Sequence, residues 1–203
     1  MSGDRTADPP ELIDISGYDF KALIFDCDGT LAETAPHHFN SLRSALAEQG
    51  LVLPTGWYFA RLGLSRGHLF DEFDAQFNVK IDRNAAIARS EEIYCDASLP
   101  ILEIKRVAGI AKQLRGQLPI SVASGGPRRL VHRTLTACGL WPFFDHVVTF
   151  DDVGMGKPSP ALFLEAARRM GVEPGDCLVF EDSDEGIEAA GRAAMAVVDV
   201  RKA

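Results

Sequence analysis

Five short apolar runs recur along the chain, with segments of helical periodicity between them. The runs occupy residues 21–29, 118–126, 146–152, 177–186 and 195–200. Four of the runs consist mainly of Val, Ile, Leu and Phe with little polar alternation, which is typical of strands buried on both faces of a parallel sheet. The alternation of strand and helix predicts an α/β fold, namely a Rossmann-like parallel sheet flanked by helices.

The interval between the first two runs is too long for a single crossover. It contains no strand pattern, and apolar residues recur with helical spacing at 36–50, 65–77 and 82–99. Gly50, the stretch 54–56 and Asn78 separate these segments. We therefore predict a small all-helical cap at 36–96, inserted after the first strand of a core that comprises 1–35 and 97–203.

The charge of the chain disfavours two classes of partner. The 203 residues carry a formal net charge of −8, and the 21 Lys and Arg residues form no cluster. Nucleic acids and anionic membranes bind basic patches, so we expect neither as a partner. No segment approaches the ~20 consecutive apolar residues that a membrane-spanning helix needs.

Cysteine usage and the start of the chain predict a cellular compartment. The cysteines are far apart and form no CxxC pair; they are Cys27, Cys95, Cys138 and Cys177. Small secreted proteins instead carry cysteines at high density. Because the polar stretch 1–17 also lacks an apolar signal segment, we expect a soluble cytoplasmic protein with reduced thiols.

Polar residues follow four of the predicted strands, at the edge where parallel sheets bind ligands. They are Asp26 and Asp28, then Ser124, Gly125 and Gly126, then Lys157, and finally Glu181 and Asp182. Each group alone has a structural explanation, such as a turn or a helix cap. Four such groups at one sheet edge favour a single functional site.

These residue types suit phosphoryl transfer. A phosphate dianion repels an anionic nucleophile, so its charge must be neutralised. Asp26, Asp182 and the phosphate together carry more negative charge than Lys157 can balance. Each close pair of like charges costs ~4 kcal/mol at an effective dielectric constant of 20. A divalent cation is therefore required, and oxygen ligands with phosphate favour Mg²⁺ over zinc.

The two aspartates after the first run are expected to share a pocket. Alternation along an extended strand places Asp26 and Asp28 on one side and Cys27 on the other, toward the core. One carboxylate can attack the phosphorus, and we expect the other, its pKa raised by the neighbouring charge, to protonate the leaving oxygen.

The same residues carry a family resemblance that spans nearly the whole chain. The stretch 26–31, DCDGTL, followed by Ser124, Lys157 and the pair Glu181-Asp182, resembles the four-motif signature of the haloacid dehalogenase superfamily of phosphohydrolases. The predicted helical insertion is similar to the cap of its β-phosphoglucomutase-like branch. In that branch the matching hinge and cap positions are Thr34, His38 and Arg66.

The resemblance implies a role for each matching residue. Asp26 would form an aspartyl phosphate, and Asp28 would protonate the leaving group and then activate water. Mg²⁺ would bind the Asp26 carboxylate, the backbone carbonyl of Asp28, and Asp182, with Glu181 nearby. The remaining roles are phosphate binding by Ser124 and Gly125, charge compensation by Lys157, and substrate contacts from the cap by Thr34, His38 and Arg66.

Within the branch, the stretch from 179 onward resembles bacterial phosphatases of fructose 1-phosphate and related sugar phosphates. Thr30 also favours hydrolysis, whereas Glu33 departs from the Asp that is usual at its position. The expected partner is a small phosphorylated metabolite, bound by a monomer or weak dimer. Two alternatives stay open: a β-phosphoglucomutase-type phosphosugar mutase and a non-catalytic relative that binds a partner.

The cap residues also have structural explanations. His38 could simply begin an exposed helix, and an arginine such as Arg66 on a helix is most often solvated. Residues 57–59, Trp-Tyr-Phe, are expected to form the apolar core of the cap.

Overall fold

The computed structural model describes residues 11–203, which form a five-stranded parallel sheet with helices on both faces. Its strand order is β3-β2-β1-β4-β5. The strands are β1 (Ala22–Phe25), β2 (Ile120–Ala123), β3 (His146–Val148), β4 (Cys177–Glu181) and β5 (Ala196–Asp199). Every residue of β1, β2 and β4 is buried, so the predicted α/β fold is confirmed.

Nine α-helices connect or follow these strands within the described residues. They are α1 (Ala35–Ala47), α2 (Thr55–Phe59), α3 (Arg66–Phe77), α4 (Arg83–Asp96), α5 (Lys105–Leu114), α6 (Arg128–Ala137), α7 (Phe150–Val153), α8 (Ala161–Met170) and α9 (Asp184–Arg192). Short 3-10 helices span Trp141–Phe143 and Pro174–Asp176. The order of elements is that of a doubly wound sheet with helices α1 to α4 inserted after β1.

The central strand sends alternate side chains into two apolar clusters. Leu23 and Phe25 pack on one face with residues of α5 and α6, whereas Ala22 and Ile24 pack on the other face with residues of α8 and α9. The ring of Phe25 stacks on Phe180 of β4 at 4.6 Å. Both faces of β1 are therefore dry, and its carboxyl end is held between β2 and β4.

The inserted helices have an apolar cluster of their own. Phe39 of α1, Phe70 and Phe73 of α3 and Trp57 of α2 are buried together. Trp57 and its neighbour Tyr58 thus belong to this cluster as expected, while Phe59 remains 37% exposed. The division of the chain at 36–96 stays a prediction.

Two short helices differ from the sequence interpretation. The run at 146–152 was expected to be a strand, but β3 ends at Val148 and α7 begins at Phe150. Thr149 and Asp152 form a capping box, which ends the strand and starts the helix. Similarly, α2 occupies a stretch that the sequence assigned to a break, because Pro54 is tolerated at its N-cap.

None of the helices described in residues 11–203 combines the length and the apolar character needed to cross a membrane. The four cysteines at positions 27, 95, 138 and 177 are free thiols.

Candidate active site

Asp26 lies just beyond the carboxyl end of β1, where Lys157 contacts it. Nζ of Lys157 lies 2.5 Å from Oδ1 of Asp26 and 2.6 Å from Oε2 of Glu181. The backbone N–H of Asp26 donates to the carbonyl of Phe180, at 3.0 Å, so pairing with β4 fixes its position. These three charged side chains are nearly or fully buried, and each needs its partner to be stable there.

A group of three carboxylates surrounds this lysine. One oxygen atom each from Asp26, Glu181 and Asp182 lie within 4.8 Å of one another. Burial, followed by the charge of Glu181, raises the pKa of Asp26 well above its usual value, although Lys157 acts in the opposite direction. The same two causes raise the pKa of Asp182 to about 6. Three carboxylates against one ammonium leave an excess of negative charge that a divalent cation would neutralise.

Both carboxylate oxygens of Glu181 are engaged by protein donors. Its Oε1 accepts hydrogen bonds from the backbone N–H groups of Asp182 (3.1 Å) and Ser183 (3.0 Å) and from the Ser183 hydroxyl (2.8 Å). Its Oε2 accepts from Lys157. A β-carbon at Gly186 would lie 2.0 Å from the Glu181 carboxyl carbon, so a glycine on α9 is what makes room for this carboxylate. Glu181 thus holds in place both the ammonium group of Lys157 and the backbone just before α9.

Asp182 is held by the loop that follows β1. Its Oδ1 accepts a hydrogen bond from the Thr30 hydroxyl at 3.1 Å. A β-carbon at Gly29, whose φ is +86°, would lie 2.1 Å from Oδ2 of Asp182. The absence of a side chain at Gly29 therefore lets the Asp182 carboxylate approach the backbone next to Asp28.

The donor set fits Mg²⁺. Asp26, which is buried, and Asp182, which is half-buried, offer hard carboxylate oxygens in one group, and Glu181 lies beside them. The carboxylate of Asp28 does not join this acidic group in the part of the chain that the structure describes. Its predicted contribution through the backbone carbonyl stays a prediction.

Asp28 pairs with His38 of α1. Nε2 of His38 lies 3.2 Å from Oδ1 of Asp28. Burial raises the pKa of Asp28, but the neighbouring His38 and hydrogen bonds with His38 and Thr34 outweigh it, so the pKa is lowered overall. The expectation that the second aspartate has a raised pKa is therefore wrong for the free protein: the raised pKa belongs to Asp26.

The loop after β2 approaches Asp28 from the other side. Ser124 is buried, and its Oγ accepts a hydrogen bond from the backbone N–H of Gly126 at 3.1 Å. A β-carbon at Gly126 would lie 3.7 Å from Oδ2 of Asp28. Gly125, between them, is exposed. The loop therefore brings the Ser124 hydroxyl and Gly126 close to Asp28, and the predicted phosphate binding by Ser124 and Gly125 stays a prediction.

Arg66 forms a hydrogen bond within the inserted helices. Its Nη1 donates to Oγ of Ser90 at 3.1 Å. Burial lowers the pKa of Arg66, while Tyr58 and Asp28 are among the groups that act to raise it. The observed hydrogen bond thus ties Arg66 to α4, and its predicted contact with the substrate stays a prediction.

Cys27 takes no part in the site. Its side chain is fully buried in the core beside Phe25, as the strand alternation predicted. Burial raises the pKa of this thiol well above its usual value. A protonated, inaccessible thiol is not a nucleophile.

Sequence reasoning missed the residues that bring the site together. The close packing of Gly29 and Gly186 against carboxylates and the hydrogen bond from Thr30 to Asp182 depend on tertiary contacts. The glycines were visible in the sequence as members of a turn and a helix, but nothing local indicated what they face.

The chain is similar to known phosphatases and to solved hydrolase structures. The chain is 34% identical over 182 residues to fructose-1-phosphate phosphatase YqaB of Escherichia coli strain K12, covering 90% of this chain and 97% of that protein. It is 29% identical over 180 residues to validoxylamine A 7'-phosphate phosphatase of Streptomyces hygroscopicus subsp. limoneus, covering 86% and 82%. A solved haloacid dehalogenase family hydrolase from Deinococcus radiodurans with bound phosphate and sodium superposes with a TM-score of 0.67 at 27% identity, covering 88% and 80%.

The family model for haloacid dehalogenase-like hydrolases matches residues 20–194, which include every site residue described above. The resemblance carried by the motifs is thereby confirmed. The chain belongs to the haloacid dehalogenase-like hydrolases.

Proposed function

We propose that this hydrolase is a Mg²⁺-dependent phosphatase that cleaves small sugar or polyol phosphates through an aspartyl phosphate on Asp26. The observation that carries the proposal is the convergence of Lys157, Asp26 and Asp182 at one buried sheet edge. The fructose 1-phosphate specificity in the name of the Escherichia coli relative supports the substrate class.

In the first step, a carboxylate oxygen of Asp26 attacks the phosphorus and forms a P–O bond. The bond from phosphorus to the sugar oxygen breaks, and its electron pair stays on that oxygen, which takes a proton from Asp28. The lowered pKa of Asp28 in the free protein does not oppose this role. An incoming phosphate dianion is a like charge, and it raises the pKa of a neighbouring carboxyl.

In the second step, Asp28 returns to its carboxylate form and acts as a base. It removes a proton from a water molecule, whose oxygen attacks the phosphorus and releases Asp26 and inorganic phosphate. The lowered pKa of Asp28, maintained by His38, favours this carboxylate form once the leaving alcohol has gone.

Positive charge and hydrogen-bond donors hold the phosphate during both steps. Ser124 and the backbone N–H of Gly125 are proposed to bind phosphate oxygens, which is supported by the position of the neighbouring Gly126 close to both Ser124 and Asp28. Lys157 offsets the charge of Asp26. When Mg²⁺ is bound by Asp26 and Asp182, it neutralises the remaining negative charge and orients the phosphate.

The inserted helices are proposed to act as a cap that covers the substrate. Nδ1 of His68 on α3 lies 3.7 Å from Oε1 of Glu185 on α9, so the inserted helices also contact the core at α9. Arg66 is proposed to contact the sugar or its phosphate. Closure would exclude water, which strengthens electrostatic interactions at the phosphorus.

A phosphate-release assay with fructose 1-phosphate and other sugar and polyol phosphates tests the proposal. The wild-type protein should release phosphate with Mg²⁺ and lose this activity with EDTA, and Asp26→Asn should abolish turnover in a folded protein. Asp176→Asn is the matched control, because Asp176 pairs with the exposed Lys21 away from the site. Wild-type turnover in Asp26→Asn would refute the proposal, and glucose 6-phosphate formed from glucose 1-phosphate would identify the mutase.

A further inference from the structure

Tyr94 contacts both parts of the molecule that meet at the site. It lies near the end of α4, the last inserted helix, and its side chain is buried. Its hydroxyl oxygen lies 2.7 Å from Oγ1 of Thr134 on α6, which is also buried. A buried phenol needs such a partner, and here the partner belongs to the core helix.

The ring of Tyr94 also supports the residue that pairs with Asp28. It stacks on the imidazole of His38, with ring centroids 4.6 Å apart and an angle of 21° between the planes. The same imidazole places Nε2 3.2 Å from Oδ1 of Asp28. Tyr94 therefore packs against the imidazole that contacts Asp28 and restricts the rotation of the His38 side chain.

The surroundings of Tyr94 connect it to the loop that is proposed to bind phosphate. It packs in a small apolar cluster with Ala32, Ile101 and Leu130. Ala32 belongs to the segment that leads into α1, Ile101 follows α4, and Leu130 lies on α6. Both chain segments that link the inserted helices to the core pass this cluster, and α6 starts directly after the loop that contains Ser124.

We propose that Tyr94 is a positioning residue that fixes the orientation of Asp28 through His38 and sets the register of the inserted helices against α6 through Thr134. The inference rests on the proposed function, since it assigns Asp28 the task of protonating the leaving oxygen. It assigns Tyr94 no contact with the substrate.

This role predicts an effect that depends on the leaving group. A sugar alkoxide must be protonated as it departs, whereas nitrophenolate leaves without a proton. The parameter kcat/KM covers all steps up to departure of the leaving group. Tyr94→Phe should therefore lower kcat/KM about 10-fold for a sugar phosphate and less than about 2-fold for p-nitrophenyl phosphate, because misplacing a general acid removes part of its 10²- to 10⁴-fold contribution.

Further variants separate the hydrogen bond from the stacking contact. Thr134→Val removes the same hydrogen bond from the other side, so it should match Tyr94→Phe, and the double variant should lose no more than either single one. Tyr94→Leu also removes the stacking on His38, and its loss with the sugar phosphate should exceed that of Tyr94→Phe. Phe73→Leu is the matched control, because Phe73 is buried among the inserted helices away from His38.

The measurement compares kcat/KM for the two substrates at a temperature well below the Tm of each variant. A merely structural role lowers both values equally, as is expected for Phe73→Leu, and an unchanged ratio in Tyr94→Phe and Thr134→Val would overturn the inference. Those two conservative variants decide the question even where Tyr94→Leu does not fold. If the wild-type protein releases no phosphate from either substrate with Mg²⁺, the proposed function itself fails, and the inference with it.

Discussion

Gly29 and Asp182 are packed so closely that a β-carbon on Gly29 would lie 2.1 Å from Oδ2 of Asp182. Gly29→Ala should displace the Asp182 carboxylate, weaken Mg²⁺ binding and lower kcat/KM by at least about 100-fold, as expected when a catalytic metal site is displaced. The metal affinity can be measured by calorimetry and the activity by phosphate release.

Gly171→Ala separates this effect from backbone strain. Gly171, after α8, also has a positive φ, +69°, but a β-carbon added to it would meet no atom within 4 Å. Gly171→Ala should lose about 1–2 kcal/mol of unfolding free energy, the cost of a left-handed conformation for alanine, and Gly29→Ala should lose at least as much because of its added clash. Only Gly29→Ala should lose metal affinity, and equal affinities would contradict the assignment of Asp182 as a ligand.

Gly186→Ala should lower activity although alanine favours helices. The added methyl group would lie 2.0 Å from the Glu181 carboxyl carbon, which would push this side chain off Lys157. Gly191→Ala, in the same helix, meets no atom within 4 Å and should raise the free energy of unfolding by about 0.5–1 kcal/mol. Urea unfolding and phosphate-release assays on both variants provide the comparison. Full activity in Gly186→Ala would show that the placement of the Glu181 side chain against Lys157 is not needed for activity.

Lys157→Met should remove most of the phosphatase activity and destabilise the protein. It leaves Asp26 and Glu181 buried without their cation, which costs about 3–5 kcal/mol for a broken buried pair. Lys21→Met removes an exposed pair with Asp176 and should lower the free energy of unfolding much less. Denaturant unfolding at neutral pH measures the free energy of unfolding of both variants. Comparable losses of that free energy would show that the buried pair contributes no more than a surface pair.

The stability of the core should fall in acid because of Asp152. Burial of this carboxyl raises its pKa, but hydrogen bonds from Arg169, Thr149 and Arg128 lower it far below its usual value. A carboxyl with a lowered folded-state pKa stabilises the protein above its unfolded pKa of about 3.9 and loses this contribution as the pH falls. Asp152→Asn should therefore destabilise the protein at pH 7 and flatten the decrease in Tm below about pH 4.

Glu188→Gln is the control for that experiment. Glu188 pairs with Arg192 on the surface of α9, where both side chains are about half exposed. Its replacement should change the Tm by little at any pH. If the Tm of Asp152→Asn falls below pH 4 as steeply as the wild-type Tm, Asp152 is not the cause of the acid destabilisation.

The sheet and the convergence of motifs at its edge could be predicted because they follow from local patterns. Strands buried on both faces must be continuously apolar, and side chains after parallel strands must meet at one edge. These two rules are enough to place Asp26 and Asp182 at the same edge, whereas Lys157 follows β3 only after the helix α7. The short helix α7 was misread because its apolar first residue, Phe150, continues the pattern of β3.

The fine adjustment of the site could not be predicted because it depends on residues distant in sequence. Tyr94 and Thr134 are 40 positions apart, and neither shows a local signal of its partner. The net lowering of the Asp28 pKa results from His38 and Thr34, whose side chains reach it only after α1 has packed above the sheet. Charge alone had suggested the opposite direction.

The position of β1 in the middle of the sheet also constrains biosynthesis. Asp26 leaves the ribosome well before β4, the neighbour of β1 on one side, which begins only at Cys177. Until that strand has emerged, β1 has an open edge, and a nascent chain in that condition is prone to pair with other chains. Truncated products that stop before Cys177 should therefore be inert and prone to aggregate, because they lack both this strand and Asp182.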